Sequence, residues 1–180
     1  MALSPVKHRF TVKDFHRMVE IEIFGPKDRV ELVDGEVIEM SPIGSRHGSC
    51  VDRLNHLLGL GLGDRAIIRV QGPIQVGDFS QPEPDLAILR FRSDFYADHH
   101  PMPPDVLLVI EVADTSLRHD LFRKTPLYVA GGVPEVWVVD LVAGVVHVTR
   151  GDVVLQLRSG DSVAPLAFPD VVLEIAAIVG

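Results

Sequence analysis

The sequence predicts an α/β (α+β) domain built on a mixed β-sheet, and three observations lead to that class. Apolar β-rich runs occur at LAIL (86–89), VLLVIEV (106–112) and EVWVVDL (135–141). A helical apolar spacing fills the interval from Leu117 to Ala130, and the order strand, strand, helix, strand is that of a sheet with a covering helix. The composition, 47% hydrophobic and 23% charged over 180 residues, suits one globular domain spanning residues 1–180.

Composition also excludes several classes. No stretch reaches the ~18 uncharged apolar residues of a membrane span. The N-terminus lacks a basic region followed by an apolar core, so no secretory signal is read and the cytoplasm is the expected compartment. A single cysteine, Cys50, excludes an internal disulfide framework and a cysteine-rich zinc site. The net charge of -8 argues against gripping a phosphate backbone with the whole surface, though not against a local basic patch. The eight histidines are scattered, with only His99 and His100 adjacent and no HExxH spacing.

In chain order, Thr11 is expected to cap a first helix, with Asp14 completing a capping box, Phe10 stapling Phe15, and Phe15, Met18 and Val19 forming the apolar stripe. RVELVDGEVIEM reads as a hairpin turning at Asp34 and Gly35. That register opposes Glu31 to Ile38 and Val33 to Glu36, placing Glu31 and Glu36 on one face, read first as a solvated one. A second helix is expected from about Ser45 to Leu60, with Val51, Leu54, Leu57 and Leu58 buried and glycines 59, 61 and 63 ending it. His47 lies in its first turn, where the helix dipole disfavours a cation, and reads as a neutral surface residue before a ligand. AIIRVQGPIQV is a strand with a bend at Gly72 and Pro73. The strand LAIL begins at Pro84 and Asp85, and a polar, proline-bearing loop, FRSDFYADHHPMPP, follows as a surface flap. Short strands around HVTR and VVLQL close the chain, before a tail, VVLEIAAIV, whose type the pattern leaves open.

The chemistry concentrates in the middle. Strict alternation along VLLVIEV sets Leu107, Val109, Glu111 and Ala113 against Val106, Leu108, Ile110 and Val112. Both faces are apolar, so Glu111 is a carboxylate in a buried strand, which costs several kcal/mol unless it is paired or coordinates a cation. If the two strands are antiparallel neighbours, Asp85 at the start of one meets Glu111 near the end of the other. Two carboxylates that close repel unless a divalent cation separates them, and Mg²⁺ or Mn²⁺ suits such oxygen donors. Leu117, Leu121, Lys124 and Tyr128 share one helix face, so Lys124 either snorkels to water or reaches the carboxylates to orient a water or stabilise an oxyanion. Asp120, four residues earlier, is placed to pair with Lys124. Pro126 requires the helix to kink or to restart with the proline in its first turn.

RVELVDGEVIEMSP, PEPDLAIL, VLLVIEVADTS and the run Asp120, Lys124, Tyr128, Gly132, Val133, EVWVVD follow one another in an order that resembles the Uma2 family of endonucleases, a branch of the PD-(D/E)XK superfamily. The likeness runs from Val30 to Asp140. It implies a restriction-endonuclease-like core, a central mixed sheet flanked by helices, preceded here by the N-terminal helix and hairpin. Pro84 and Asp85 match its PD element and Glu111 its next acidic residue. Ala113 stands where the usual lysine would be, and Lys124 matches the lysine relocated to the helix. Glu36 resembles an acidic residue of the hairpin motif that assists with metal, and the carbonyl of Val112 is a further ligand of the kind the superfamily uses.

The resemblance implies a Mg²⁺- or Mn²⁺-dependent endonuclease acting on DNA, with Asp85, Glu111 and Lys124 catalytic and Asp85, Glu111 and Glu36 toward the metal. Two competing readings stand beside it. One is a non-catalytic nucleic-acid or protein interaction module in which Glu111 and Lys124 form a structural ion pair. The other is a metal hydrolase of small phosphate esters. A homodimer is the expected assembly, since cutting two strands often uses two copies and twofold dimers are the commonest oligomers.

Overall fold

The structure, a computed structural model of the chain, describes residues 7–25 and 27–180. Its centre is a six-stranded mixed sheet of β3 (Ala66–Val70), β4 (Leu86–Arg90), β5 (Val106–Ala113), β6 (Val136–Asp140), β7 (Val145–Arg150) and β8 (Val153–Arg158), hydrogen-bonded in that order. Only β5 and β6 run parallel, because a helical crossover joins them, while every other neighbouring pair is antiparallel. The α/β expectation holds, and the chain order follows the expected strand, strand, helix, strand.

Helix α1 (Val12–Glu20) begins at the expected Thr11–Asp14 capping box. Its buried residues are Val12 and Phe15, whereas Val19 is exposed, so the stripe sits nearer the N-terminus than expected. The helix packs on the hairpin of β1 (Val30–Val33) and β2 (Glu36–Glu39), whose register is the expected one. Asp34 and Gly35 both take positive φ, which a two-residue hairpin turn of this hand requires.

Helix α2 (Ser45–Leu62) runs two residues beyond its expected end. Gly59 and Gly61 lie inside it rather than ending it, and a Cβ on Gly61 would stand 2.5 Å from Val171, so that glycine serves close packing. Cys50, Val51, Leu54, Leu58 and Leu62 enter the core on one face of the sheet. The tail supplies a strand, β10 (Leu173–Glu174), paired with β9 (Ser162–Val163), and a last short helix, α5 (Ile175–Val179), on that same face. Arg53 donates to the carbonyls of Ile178 and Val179, satisfying the end of α5 from α2.

The opposite face is covered by one helical stretch in three parts: α3 (Leu117–His119), a π-helical turn over Asp120–Lys124, and α4 (Thr125–Gly131). The expected break at Pro126 takes the form of a restart, with Pro126 in the first turn of α4 after the widened turn. Thr125 N–H donates to the Asp120 carbonyl, the i to i−5 pattern.

Alternation in β5 departs from the strict pattern at one point. Ile88 opposes Leu108 but Leu89 opposes Val106, a bulge that leaves Leu107 as the extra residue. Val106 therefore joins the face of Val109 and Ala113, while Leu107 packs with Leu108 and Ile110. From Leu108 to Ala113 the expected faces hold, and Glu111 points to the side covered by the π-turn helix.

Candidate active site

Asp85 is set by strand pairing. Leu86 opposes Ile110 and Ala87 opposes Val109 in antiparallel register, so continuing one step brings Asp85 beside Glu111. The Val112 N–H donates to Asp85 Oδ2 at 2.8 Å, fixing the carboxylate at the strand end. On its other side β3 stops at Val70, Gln71 turns with positive φ, and the Gln71 N–H donates to the Asp85 carbonyl at 2.9 Å. The convergence of Asp85 and Glu111 expected from the sequence is thus a consequence of antiparallel register.

Lys124 comes from the π-turn. It is 4% exposed, and its Nζ lies 2.8 Å from Glu111 Oε1 and 3.2 Å from Glu31 Oε2. The inward face of Leu117, Leu121, Lys124 and Tyr128 is realised, with Tyr128 donating to Glu111 Oε1 at 2.6 Å. The expected Asp120–Lys124 pair does not form. The widened turn removes the ordinary i, i+4 relation, and Asp120, itself buried, accepts from Ser116 Oγ at 2.5 Å.

Glu31 is the acid that the hairpin delivers. Leu32 bridges Gln81, and the Glu83 N–H donates to Glu31 Oε2 at 2.9 Å, tying β1 to the segment that leads into Asp85. Glu36 is a correction to the sequence reading. Although it shares a hairpin face with Glu31, it lies nearer the turn, pairs with Lys7 at 3.0 Å and Arg123 at 3.1 Å, and is not among the residues lining the pocket. Consecutive Arg123 and Lys124 meet Glu36 and Glu31, so the hairpin docks on the π-turn through two adjacent pairs of which only the inner belongs to the site. The solvated-face reading therefore fails for Glu31.

His47 also departs from expectation. Its Nε2 lies 3.1 Å from Asp85 Oδ2, and that contact holds the imidazole pKa above its ordinary value despite partial burial. His119 stands 3.8 Å from Glu31 Oε1, an ion-pair distance longer than an ordinary hydrogen bond. Neither histidine carried a distinguishing sequence signal, since each reaches its carboxylate only through packing between distant segments.

These groups line a cavity of about 360 Å³ that includes Glu31, His47, Asp85, Glu111, Asp120 and Lys124. Burial pushes the Glu111 carboxyl up to about 8, against the pull of Lys124 and with the repulsion of Asp120, Asp85 and Glu31 added. Burial also resists ionisation of Glu31, but His119, Lys124 and the Glu83 N–H outweigh it and bring that carboxyl down to about 2. Lys124 loses hydration on burial, yet Glu111, Glu31 and Asp120 hold it firmly protonated. The acids Glu31, Asp85, Glu111 and Asp120 thus share the pocket with the Lys124 ammonium, which only Glu31 and Glu111 contact, and the mutual repulsion that helps raise the Glu111 carboxyl is of the kind a bound cation relieves.

The donor chemistry fits Mg²⁺ or Mn²⁺. Asp85 and Glu111 offer hard oxygens, and each uses only one for the hydrogen bonds above; the other carboxylate oxygen of each has no hydrogen-bond partner among the described residues. Among the described residues no three acidic, imidazole or thiol side chains form a ready-made metal cage. Mg²⁺ commonly takes one or two protein carboxylates and keeps several waters, so a pair is the donor number it needs.

A family model described as Uma2, "Putative restriction endonuclease", matches residues 12–176. A solved protein from Anabaena variabilis ATCC 29413, described as "a putative nuclease belonging to DUF820", superposes with a TM-score of 0.75 at 13% sequence identity, covering 94% of this chain and 97% of the other. No curated protein matches the sequence. At that identity the solved structure speaks for the fold alone, which is the mixed sheet flanked by helices described above.

Proposed function

Because the chain belongs to the Uma2 family, whose model spans nearly all of it, we propose that it is a Mg²⁺- or Mn²⁺-dependent endonuclease that hydrolyses DNA phosphodiester bonds. The observation that carries the reading is the buried ammonium of Lys124, 2.8 Å from Glu111, within a carboxylate-rich pocket that also contains Asp85. Asp85 and Glu111 would hold the cation, which supplies Lewis-acid polarisation of the phosphate and lowers the pKa of the attacking water.

The chain's own residues account for the rest. Tyr128 and Lys124 together fix one oxygen of Glu111, leaving the second without a hydrogen-bond partner among the described residues. Val112 N–H and His47 hold Asp85 in the same way. Lys124, kept protonated by its acidic neighbours, donates to the attacking water or offsets charge on the phosphate oxygens as the bond breaks. Glu31 is the positioning residue for Lys124, holding its Nζ at 3.2 Å while Glu111 holds it at 2.8 Å.

Cleavage of supercoiled and linear DNA measured with and without Mg²⁺ or Mn²⁺ tests this reading. The metal is required, and Glu111→Gln or Asp85→Asn abolishes turnover while leaving the fold intact. Cleavage that survives Glu111→Gln, or that ignores chelation, contradicts it.

One observation favours a second reading. Lys124 is satisfied by Glu111 and Glu31 together, an ion triad that also suits a purely structural role in an interaction module. Mn²⁺ calorimetry separates the two: the nuclease gives a binding heat lost in Asp85→Asn, and the structural triad gives none.

A further inference from the structure

The two edges of the central sheet are unlike. β3 at one edge is mostly half-buried, with α2 packed near it. β8 at the other is exposed along nearly its whole length: Val153 is 55%, Val154 63% and Leu155 41% exposed, and among the described residues no strand pairs with its outer side. A long apolar edge strand with open backbone groups invites another strand, and proteins ordinarily block it.

The hydrogen-bonding phase of β8 follows from its turn. Arg150 opposes Val153 across a two-residue loop, so Val153, Leu155 and Leu157 direct their backbone groups to β7, and Val154 and Gln156 direct theirs outward. The Arg158 N–H also faces outward, but the Asp161 carboxylate already takes it at 2.9 Å, which ends the free edge there.

We propose that β8 is a dimerisation edge, pairing antiparallel with β8 of a second copy so that Leu155 faces Leu155 across a twofold axis. In this register Val154 opposes Gln156 of the other copy, and the two outward-facing residues of each strand exchange their backbone hydrogen bonds. Asp152 then stands opposite Arg158 of the second copy, twice by symmetry. Both are exposed charges without a salt bridge among the described residues. The alternative in-phase registers are poorer: opposing Val154 to itself sets Asp152 against Gln156 and leaves Arg158 with no residue of the other β8 opposite it, and opposing Gln156 to itself sets Val154 against the blocked Arg158 amide. The second copy is therefore the occupant that β8 complements in charge, hydrogen-bond phase and apolar content. Two strands separate β8 from β5, so the pairing leaves the pocket of each copy open.

Sedimentation of the full chain tests this, independently of any nuclease activity. The wild type is expected at twice the mass of one chain. Val154→Pro, which removes an outward N–H at an edge where proline is tolerated, and Leu155→Lys each weaken dimerisation by about tenfold or more. Asp152→Lys and Arg158→Glu each weaken it, and the double exchange restores it, a rescue that simple misfolding would not produce. A wild-type monomer at every concentration, an open-ended assembly, a dimer indifferent to Val154→Pro, or an unrescued charge exchange overturns the proposal.

Discussion

Lys124 is the residue on which the site turns, because an ammonium with 4% exposure survives only where acids surround it. Lys124→Met leaves Glu111 and Glu31 buried without their cation and is expected to cost about 3–5 kcal/mol, read as a fall in melting temperature. Tyr128→Phe removes one donor to Glu111 without opening a cavity, at about 1–3 kcal/mol, in a thermal shift assay. Glu31 sets a pH dependence whose sign is definite. Its carboxyl titrates near 2 in the folded chain against 4.5 ordinarily, so its contribution is fully present above 4.5 and is lost as pH falls through about 2. That contribution is at most about 3 kcal/mol, and acid titration of stability is expected to be flatter in Glu31→Gln than in the wild type. Identical slopes for the two proteins would contradict the assignment of Glu31. Asp85 and Glu111 could be read from the sequence because strand polarity alone brings them together. Glu31 and His47 could not, since their burial depends on a hairpin and a helix packing against segments far away in the chain.

At the scale of elements, the π-turn is the device that aims Lys124. It lets the helix accept Pro126 at a restart, and it turns Asp120 away from the pairing that ordinary helical spacing suggests. The apolar spacing of Leu117, Leu121, Lys124 and Tyr128 revealed which face turns inward but not the widened turn, because both helix types place those side chains toward the sheet. The β5 bulge at Leu107 was equally hidden, since alternation in a strand buried on both faces carries no marker of phase. The hairpin and the Thr11 cap were legible because each rests on neighbouring residues with specific turn or cap chemistry. Thr11→Ala is expected to lower stability by about 1 kcal/mol through loss of the capping box, measured by denaturant unfolding.

For the whole molecule, the sheet order keeps the proposed cation site, at the ends of β4 and β5, apart from the proposed dimerisation edge at β8. For the proposed endonuclease, the net charge of -8 argues against gripping a phosphate backbone with the whole surface. The salt dependence of DNA affinity is therefore expected to be shallow, with a log–log slope weaker than about −5, and a steeper slope would contradict contact through a local patch. The central claim is that Asp85 and Glu111 form a cation site beside Lys124. A crystal soaked in Mn²⁺ and measured at the manganese edge tests it most directly. The account predicts an anomalous peak between the Asp85 and Glu111 carboxylates, absent in Asp85→Asn; a pocket without a peak, or manganese bound only elsewhere, would contradict it.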